Sequence, residues 1–562
     1  VRQESAALIR TPPAPETPPP PPARAERLRA LAADPFDLLI IGGGVTGAGA
    51  ARDAALRGLR VALVEREDFA SGTSSRSSRL IHGGVRYLEH GHLGLVFESS
   101  IERARLLRLA PHLVRPLAFT WPVYRGARIP RWKLNAGLML YDVLALFRNV
   151  KAHRGLNVRK VLAAEPGLLS EGLKGGACYY DAATDDARLT FANALGASEA
   201  GAIVLNHASV RSLLVENGKA HGAIVEDHLS GQELTVRARA IVNATGPWSD
   251  EIRKLDATGE APAVRGSKGV HIAVPRERLG NRDALTLLSP IDGRVMFVLP
   301  ADSHAIIGTT ETATRAHPAE VRASEKDVAY LLASANAFFP QANLVRSDVV
   351  SAWAGIRPLV ARYGGGDAGS TSREHAIDVS PTGVIAISGG KLTTYRIMAR
   401  DVVNAVERQL GATHRKPVTD TLPLPGGDLG SVDLGLKTVA SVVGRGDVAL
   451  HLVRAYGSRW HQVWDLTRED ASLARPLVEG LPYLRAEAAH GVTHEFVHTL
   501  ADLLIRRLKV AFETRDQGAE AARAAAEVMA PRLGWDAAET QRQLDAYSQD
   551  TARIFTIDPA DG

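Results

Sequence analysis

"FDLLIIGGGVTGAGAARDAALRGLRVALVERED", residues 36 to 68, decides how the rest of the chain is read. The apolar run 38 to 41 predicts a buried parallel strand, glycines follow at once, an alanine-rich helix is expected to about Arg57 with Gly58 ending it, and "RVALVE" predicts a second strand. Gly42, Gly44 and Gly47 form GxGxxG between strand and helix. The first permits a tight turn, the second lets a pyrophosphate approach the backbone, and the third lets helix and strand pack closely. The helix start, with Thr46 in its first turn, offers free N–H groups and a partial positive charge to phosphates. Glu65 ends the second strand, where a carboxylate accepts hydrogen bonds from ribose hydroxyls and repels a 2′-phosphate. NADP is disfavoured; FAD and NAD remain.

Outward from this unit, strands are expected at 203 to 206, 210 to 215, 222 to 227, 233 to 242, 295 to 299, 304 to 307 and 384 to 388. Helices are expected near 98 to 109, 188 to 201, 325 to 338 and 392 to 410. The alternation places the chain in the α/β (mixed α+β) class. From about residue 432 the strand-like runs stop, and 434 to 456, 468 to 475, 494 to 513, 517 to 530 and 536 to 550 read as helices. "LPLPGGDLG", 422 to 430, falls in an expected linker over 411 to 431. At the other end "TPPAPETPPPPP", 11 to 22, predicts that residues 1 to 35 form a stiff, disordered, Pro-rich tail.

With 562 residues, 45% apolar and 23% charged, the chain has room for two or three globular domains. Its single cysteine, Cys178, gives no intrachain disulfide and no zinc-type spacing, so an oxidising compartment and a metal site are not expected. A net charge of +5 suits an anionic substrate, a membrane surface or nucleic acid without choosing among them. No aromatic-basic interleaving or nucleic-acid motif is present, and no nucleic-acid partner is expected. There is no apolar run of spanning length and no signal-peptide pattern, so we expect a cytoplasmic protein that is neither secreted nor integral.

Two further stretches favour a flavin. "AIVNATGPW", 240 to 248, is a buried strand breaking after Ala244 at Thr245-Gly246, where the missing side chain permits close backbone approach. "VIAISGGKLTTYRIMARDVV", 384 to 403, repeats strand, Gly389-Gly390 and helix start near Leu392. That start, with Lys391 and Thr393, can face the pyrimidine edge of a flavin and stabilise the negative charge that develops there on reduction.

The ordered set "IGGGVTGAGAARDAALRGL", "TSSRSSRLIHGGVRYLEHG" (73 to 91), "DDARL" (185 to 189), "VNATGPW" (242 to 248), "IIGTTE" (306 to 311), "AGIRPL" (354 to 359) and "GGKLTTYR" (389 to 396) closely resembles FAD-dependent, quinone-linked glycerol-3-phosphate dehydrogenases. The resemblance covers 36 to about 410, and the helical tail is similar to that family's C-terminal cap. It implies a Rossmann-like FAD-binding domain from 36–120, 185–260 and 380–410, a β-sheet substrate domain from 121–184 and 261–379, and a helical C-terminal domain over 432–562. It also implies oxidation of sn-glycerol 3-phosphate to dihydroxyacetone phosphate, with electrons passed through FAD to membrane quinone.

By the same resemblance, Thr73, Ser74, Ser75 and Ser78 lie along the cofactor, and Gly83-Gly84 brings backbone to the flavin ring. Substrate phosphate and hydroxyl contacts are implied for Arg86, Tyr87, Arg357, Arg373 in "TSREHAID", and Lys391; the arginine fork suits a dianion. Removal of the C2 hydroxyl proton needs a base partly unprotonated near neutrality, for which His82 is the first candidate and His271 the second. The chain departs from the family in its proline-rich tail, in Arg79 where lysine is frequent, and in a glycine-rich insertion at 364 to 372.

Because quinone is lipid-soluble, peripheral attachment to the inner face of the membrane is expected. "RIPRWKLNAGLMLYDVLALFRNVKAHR", 128 to 154, has an apolar core too short to span, flanked by Trp132 and basic residues, and reads either as a bilayer-surface helix or as a buried domain helix. Arg506 and Arg507 of the cap mark a second candidate surface, for membrane or for a homodimer. The competing functions are a glycerol-3-phosphate oxidase using dioxygen, a related FAD oxidoreductase acting on a carboxylate substrate, and a non-catalytic flavin sensor.

Overall fold

Strand Phe36–Ile41 has every side chain but Asp37 buried, and it stands in the middle of the first of two sheets. In this computed structural model, which describes residues 18–146, 148–256, 264–360 and 374–560, that sheet runs His375–Val379, Ile385–Gly389, Glu233–Asn243, Phe36–Ile41, Val61–Val64, Ile203–Leu205. The pairings are parallel except the one between His375–Val379 and Ile385–Gly389, with Leu38 opposite both Val61 and Ala240. The antiparallel hairpin Ala208–Glu216 with Lys219–Asp227 extends from Glu233–Asn243.

Helix Val45–Leu56 covers one face of this sheet, flanked by Asp186–Glu199 and Tyr395–Leu410. Its alanines 48, 50, 51 and 54 are fully buried, and Gly49 lies against the Tyr395 ring, so three helices fit where larger side chains would force them apart. The opposite face is closed by the hairpin and by helix Arg24–Ala33, whose Leu31 joins Phe36, Leu39 and Val225 in one cluster. The expected 1–35 tail is therefore too long, because residues 24–33 belong to the fold. The reason is a buried cation: Arg27 donates to the Val204 carbonyl at 2.8 Å and stacks on Phe496 at 4.6 Å, with burial lowering its pKa to about 9. Only Leu28 and Leu31 carry an apolar signal in that helix, too few for a periodic reading.

The second sheet has ten strands and is antiparallel apart from the Ala284–Leu288/Val114–Tyr124 pair. Its longest members, Val114–Tyr124, Leu173–Thr184, Val264–Pro275 and Ser351–Val360, were outside the strands expected from the sequence. Prolines 116 and 122 and glycines 175 and 176 interrupt two of them, which hides the alternation that marks a strand. The domain boundaries shift accordingly. Leu80–Ile81 and Val114–Tyr124 join the second sheet instead of the flavin side, and His375–Val379 joins the first instead of the second.

The C-terminal segment is helical, as expected from residue 432, with the 434–456 run divided at Gly444, which sits at φ 74 in the left-handed region. Its expected helix at 494–513 is instead the end of Arg485–His494, a π-helical segment Asp502–Arg507 and a short helix Val510–Glu513. Arg506 and Arg507, expected at a surface, are 4% and 2% exposed. Both donate to Asp68 at the exit of the second strand, Arg506 Nε at 2.9 Å and Arg507 at 2.7 and 3.0 Å, with Asn206 adding a fourth bond. Arg188, buried, joins Glu495 of the cap at 2.8 Å. Among the described residues no helix is long and apolar enough to cross a membrane.

Removing one partner of a buried ion cluster strands the others. We expect Asp68→Ala to cost about 3–5 kcal/mol of unfolding free energy, read in urea denaturation, because it removes the carboxylate shared by two buried guanidinium groups, leaving Arg506 only the 3.3 Å contact to Asp502 and Arg507 only the Glu495 carbonyl.

Candidate functional site

The Gly42–Gly47 turn forms the floor of a cavity of about 670 Å³ that runs from Arg211 and His228 past the glycines to Lys391 and Arg357. A Cβ on Gly42 would lie 2.8 Å from the Ala244 carbonyl oxygen, and one on Gly47 would overlap the Gly42 carbonyl. Two neighbouring strand ends and the helix start thus meet backbone to backbone, with Gly44, Val45 and Thr46 lining the space. Such a cradle, closed to any side chain and headed by a helix N-terminus, fits the diphosphate of a dinucleotide.

Glu65 stands beside it, accepting from Gly43 N at 2.6 Å and Glu67 N at 2.9 Å. Burial pushes its carboxyl upward in spite of these bonds. The far end of the cavity was missed by sequence reasoning. There Arg66 stacks on Trp248 at 5.3 Å and bridges Glu251 at 3.1 Å, beside Val210 and Arg211. Trp248 lies inside "VNATGPW", but nothing in the run reveals that it meets residue 66.

The serine-rich loop is fixed mostly to protein. Ser74 Oγ accepts from Val45 N at 3.0 Å, Thr73 Oγ1 donates to the Ile356 carbonyl at 2.6 Å, Ser78 Oγ lies 2.8 Å from His271 Nε2, and Ser75 is buried against Gly72. Thr73, Ser74 and Ser78 still line the cavity. Ser77, absent from the expected set, ties the loop to Asp186 through both N and Oγ.

Ala244 and Gly246 line the cavity from one strand end, and Gly390, Lys391 and Leu392 from another. Gly389 and Gly390 sit at φ 78 and 82, and a Cβ on Gly390 would strike Met398. The Lys391 ammonium lies 3.7 Å from the centre of the Tyr87 ring. Thr393 does not line the cavity; it brackets His82, accepting from His82 N at 3.1 Å and donating to His82 O at 3.2 Å.

Beyond Tyr87 a second cavity of about 170 Å³ opens, walled by Phe119, Trp121, Tyr179 and Phe297 and edged by Thr309 and Gly84. His82, Tyr87, Ser78 and Arg357 line both cavities and so mark their junction. Arg357 donates to Thr309 Oγ1 at 3.0 Å, and its guanidinium fits only because residue 269 is glycine: a Cβ there would sit 2.6 Å from Nη2. Gly83 lies behind this junction in the fold. Arg86 belongs to the turn Val85–His90 that follows, while Arg373 falls outside the described residues.

His271 also borders the larger cavity, stacked on Trp353 at 5.5 Å and 13°. Burial, then Arg357 and Arg79, hold its pKa down to about 3, so its imidazole is neutral near pH 7. Among the described residues no cluster of three or more His, Cys, Asp or Glu side chains stands where a metal ion would be held.

Comparison with known proteins agrees with this geometry. Residues 37–396 match the family model described as FAD dependent oxidoreductase, and 417–540 match the C-terminal domain of alpha-glycerophosphate oxidase. The chain is 41% identical to glycerol-3-phosphate dehydrogenase 2 of Mycobacterium tuberculosis, covering 93% of this chain and 89% of that one. It is 39% identical to the human mitochondrial glycerol-3-phosphate dehydrogenase over 92% of this chain and 73% of the relative. A solved structure of the Bacillus halodurans glycerol-3-phosphate dehydrogenase complexed with FAD superposes with TM-score 0.78 at 32% identity, covering 94% and 97% of the two chains. Glycine oxidase from Geobacillus kaustophilus, at TM-score 0.52 and 21% identity, shares the fold.

Two glycine variants separate the cavities. Gly47→Val is expected to abolish flavin retention, read as loss of the yellow chromophore on gel filtration. Gly269→Ala is expected to keep the flavin but displace Arg357, raising the substrate KM roughly tenfold for one lost charge-assisted contact.

Proposed function

Because the chain belongs to the FAD-dependent glycerol-3-phosphate dehydrogenases, we propose that it binds FAD in the larger cavity and oxidises sn-glycerol 3-phosphate to dihydroxyacetone phosphate at the junction with the smaller one. The observation that carries this is the meeting of Arg357, Lys391, Tyr87 and His82 at that junction. The glycine cradle, the helix start and Glu65 hold the diphosphate and ribose ends of the cofactor. FAD, when bound, supplies the hydride acceptor.

The chain's own residues perform the rest. Arg357 and Lys391, with Arg86 and Arg373 by family likeness, bind the phosphate dianion and orient C2 toward the flavin. His82 takes the C2 hydroxyl proton as the hydride leaves, and the neighbouring cations stabilise the developing alkoxide. His271 stays neutral and hydrogen-bonds Ser78, which fixes the loop that carries His82.

Passage of electrons to membrane quinone needs attachment to a bilayer, and helix Arg131–Leu144 supports one. It buries Leu134, Leu138, Tyr141 and Asp142, while Trp132 is 73% exposed and Met139, Leu140 and Val143 lie outward with it. Residues 125–160 carry nine Arg and Lys and one carboxylate, Asp142, which is buried against His153. An apolar helix face within a segment of strongly positive net charge matches an anionic lipid surface.

Anaerobic addition of sn-glycerol 3-phosphate should bleach the oxidised-flavin bands, and a quinone analogue should restore them; unchanged bands would sink the assignment. In air, stoichiometric hydrogen peroxide would select the oxidase instead. Arg357→Ala should lower kcat/KM about 10- to 100-fold, the worth of a charge-assisted contact to phosphate. A His271 pKa of about 3 predicts that the acidic limb of the kcat/KM profile survives His271→Asn and disappears in His82→Asn. Cosedimentation with anionic vesicles should be lost in the Arg131→Glu, Lys133→Glu, Arg148→Glu variant; undiminished binding would remove helix Arg131–Leu144 as the attachment.

A further inference from the structure

Behind the loop His82-Gly83-Gly84 stands a buried polar cluster to which the proposed reaction assigns no role, one member of which, Asp181, borders the smaller cavity. Tyr141, Arg103 and Asp181 are 0%, 1% and 3% exposed. Tyr141 Oη donates to Asp181 Oδ1 at 2.6 Å and accepts from Arg103 Nη1 at 2.8 Å. Arg103 also grips the Asp181 carboxylate directly and reaches Asn149. Burial and the adjacent carboxylate hold the Tyr141 hydroxyl well above its ordinary pKa, so it remains a donor.

What this cluster serves is a backbone group of the loop. Gly83 N–H points into it, 2.9 Å from Tyr141 Oη and 3.2 Å from Asp181 Oδ1. Strand Leu80–Ile81 pairs with Ala183 and Ala182 and then ends one position before Asp181, so Gly83 has left the ladder and its N–H turns to the Asp181 side chain. Residue 83 admits no side chain, since a Cβ would lie 2.6 Å from Ser100 Oγ and 2.8 Å from Tyr141 Cε2. From the other side Thr393 brackets His82 with a bond to N and another to O. The loop at the cavity junction is therefore pinned between the flavin-side helix start and the cluster.

A charged pair this deeply buried is seldom kept for stability alone, because apolar residues of equal volume do as well or better; Asp181 also borders the smaller cavity. Here the pair orients a hydroxyl and a backbone amide in the loop that lines the cavity junction. We propose that Tyr141, held by Asp181 and Arg103, is a positioning residue for the flavin step, setting the His82–Gly84 loop at the height where His82 reaches the substrate hydroxyl. Tyr141 belongs to helix Arg131–Leu144, whose outward face carries Trp132 and Met139. One helix thus bears the proposed membrane face on one side and the flavin loop's support on the other.

The inference rests on the proposed reaction for its kinetic readout, so the test carries a second readout that does not. Tyr141→Phe and Asp181→Asn are purified with FAD bound, and flavin content, oxidised-flavin spectrum and anaerobic reduction by sn-glycerol 3-phosphate are measured. Flavin content should stay at the wild-type level. The limiting reduction rate should fall roughly 10-fold in Tyr141→Phe and roughly 100-fold in Asp181→Asn, with substrate Kd changed less than about threefold, as expected for a misplaced catalytic group. Wild-type rates in both variants, or a loss that only tracks lost flavin, would overturn the proposal. Should Asp181→Asn fail to fold, Tyr141→Phe decides alone, since it removes only the hydroxyl and keeps the ring. If sn-glycerol 3-phosphate does not reduce the wild-type flavin, the reaction reading fails separately, and the spectrum decides this one: altered flavin bands in Tyr141→Phe support it, and identical bands overturn it.

Discussion

The structure depends on backbone approaching backbone at Gly42 and Gly47. Side chains at either position would push helix Val45–Leu56 off strand Phe36–Ile41 and lift the Ala244 strand end away from both. The helix would then no longer present its N-terminus to the cavity, and the alanine-lined seam with Asp186–Glu199 and Tyr395–Leu410 would open. Each later feature assumes this contact, because the serine loop is fixed to the helix start through Ser74 and Val45.

A second constraint is the burial of charge between segments distant in sequence. Asp68 with Arg506 and Arg507, Arg188 with Glu495, Glu102 with Arg396, and Arg57 with Glu407 each join elements that apolar packing alone would leave free to slide. Hydrogen-bonded ions tolerate little displacement, so these pairs set register where a greasy interface would not. The cap is attached in this way, and its π-helical segment Asp502–Arg507 holds the loop from Glu65 to Gly72 that borders the larger cavity.

The first sheet was legible in the sequence because its strands are continuous apolar runs followed by glycine, as at 38–44 and 384–390. The second sheet was legible only at 295–299 and 304–307, because proline and glycine break the alternation of Val114–Tyr124 and Leu173–Thr184, and its pairing is decided by partners far along the chain. The same division holds at the site. Gly42, Gly44, Glu65, Arg357 and Lys391 sit in local patterns that announce a turn, a strand end or a cation beside glycine. Trp248, Thr309, Gly269 and Tyr141 act only through residues they meet in space, and Arg506 and Arg507 looked like solvated charge because the carboxylate that buries them is Asp68.

The order in which strands enter the first sheet bears on how the protein is made. Phe36–Ile41 and Val61–Val64 leave the ribosome early, yet their neighbour Glu233–Asn243 follows after the whole of Leu173–Thr184, and Ile385–Gly389 comes later still. Until residue 389 is synthesised, Glu233–Asn243 presents an open hydrogen-bonding edge, Val242 and Asn243 having no Ile385 and Ala386 to pair with. Nascent chains of this protein therefore carry an unfinished sheet through most of translation, and stalled or truncated products ending before that point have a ready site for self-association.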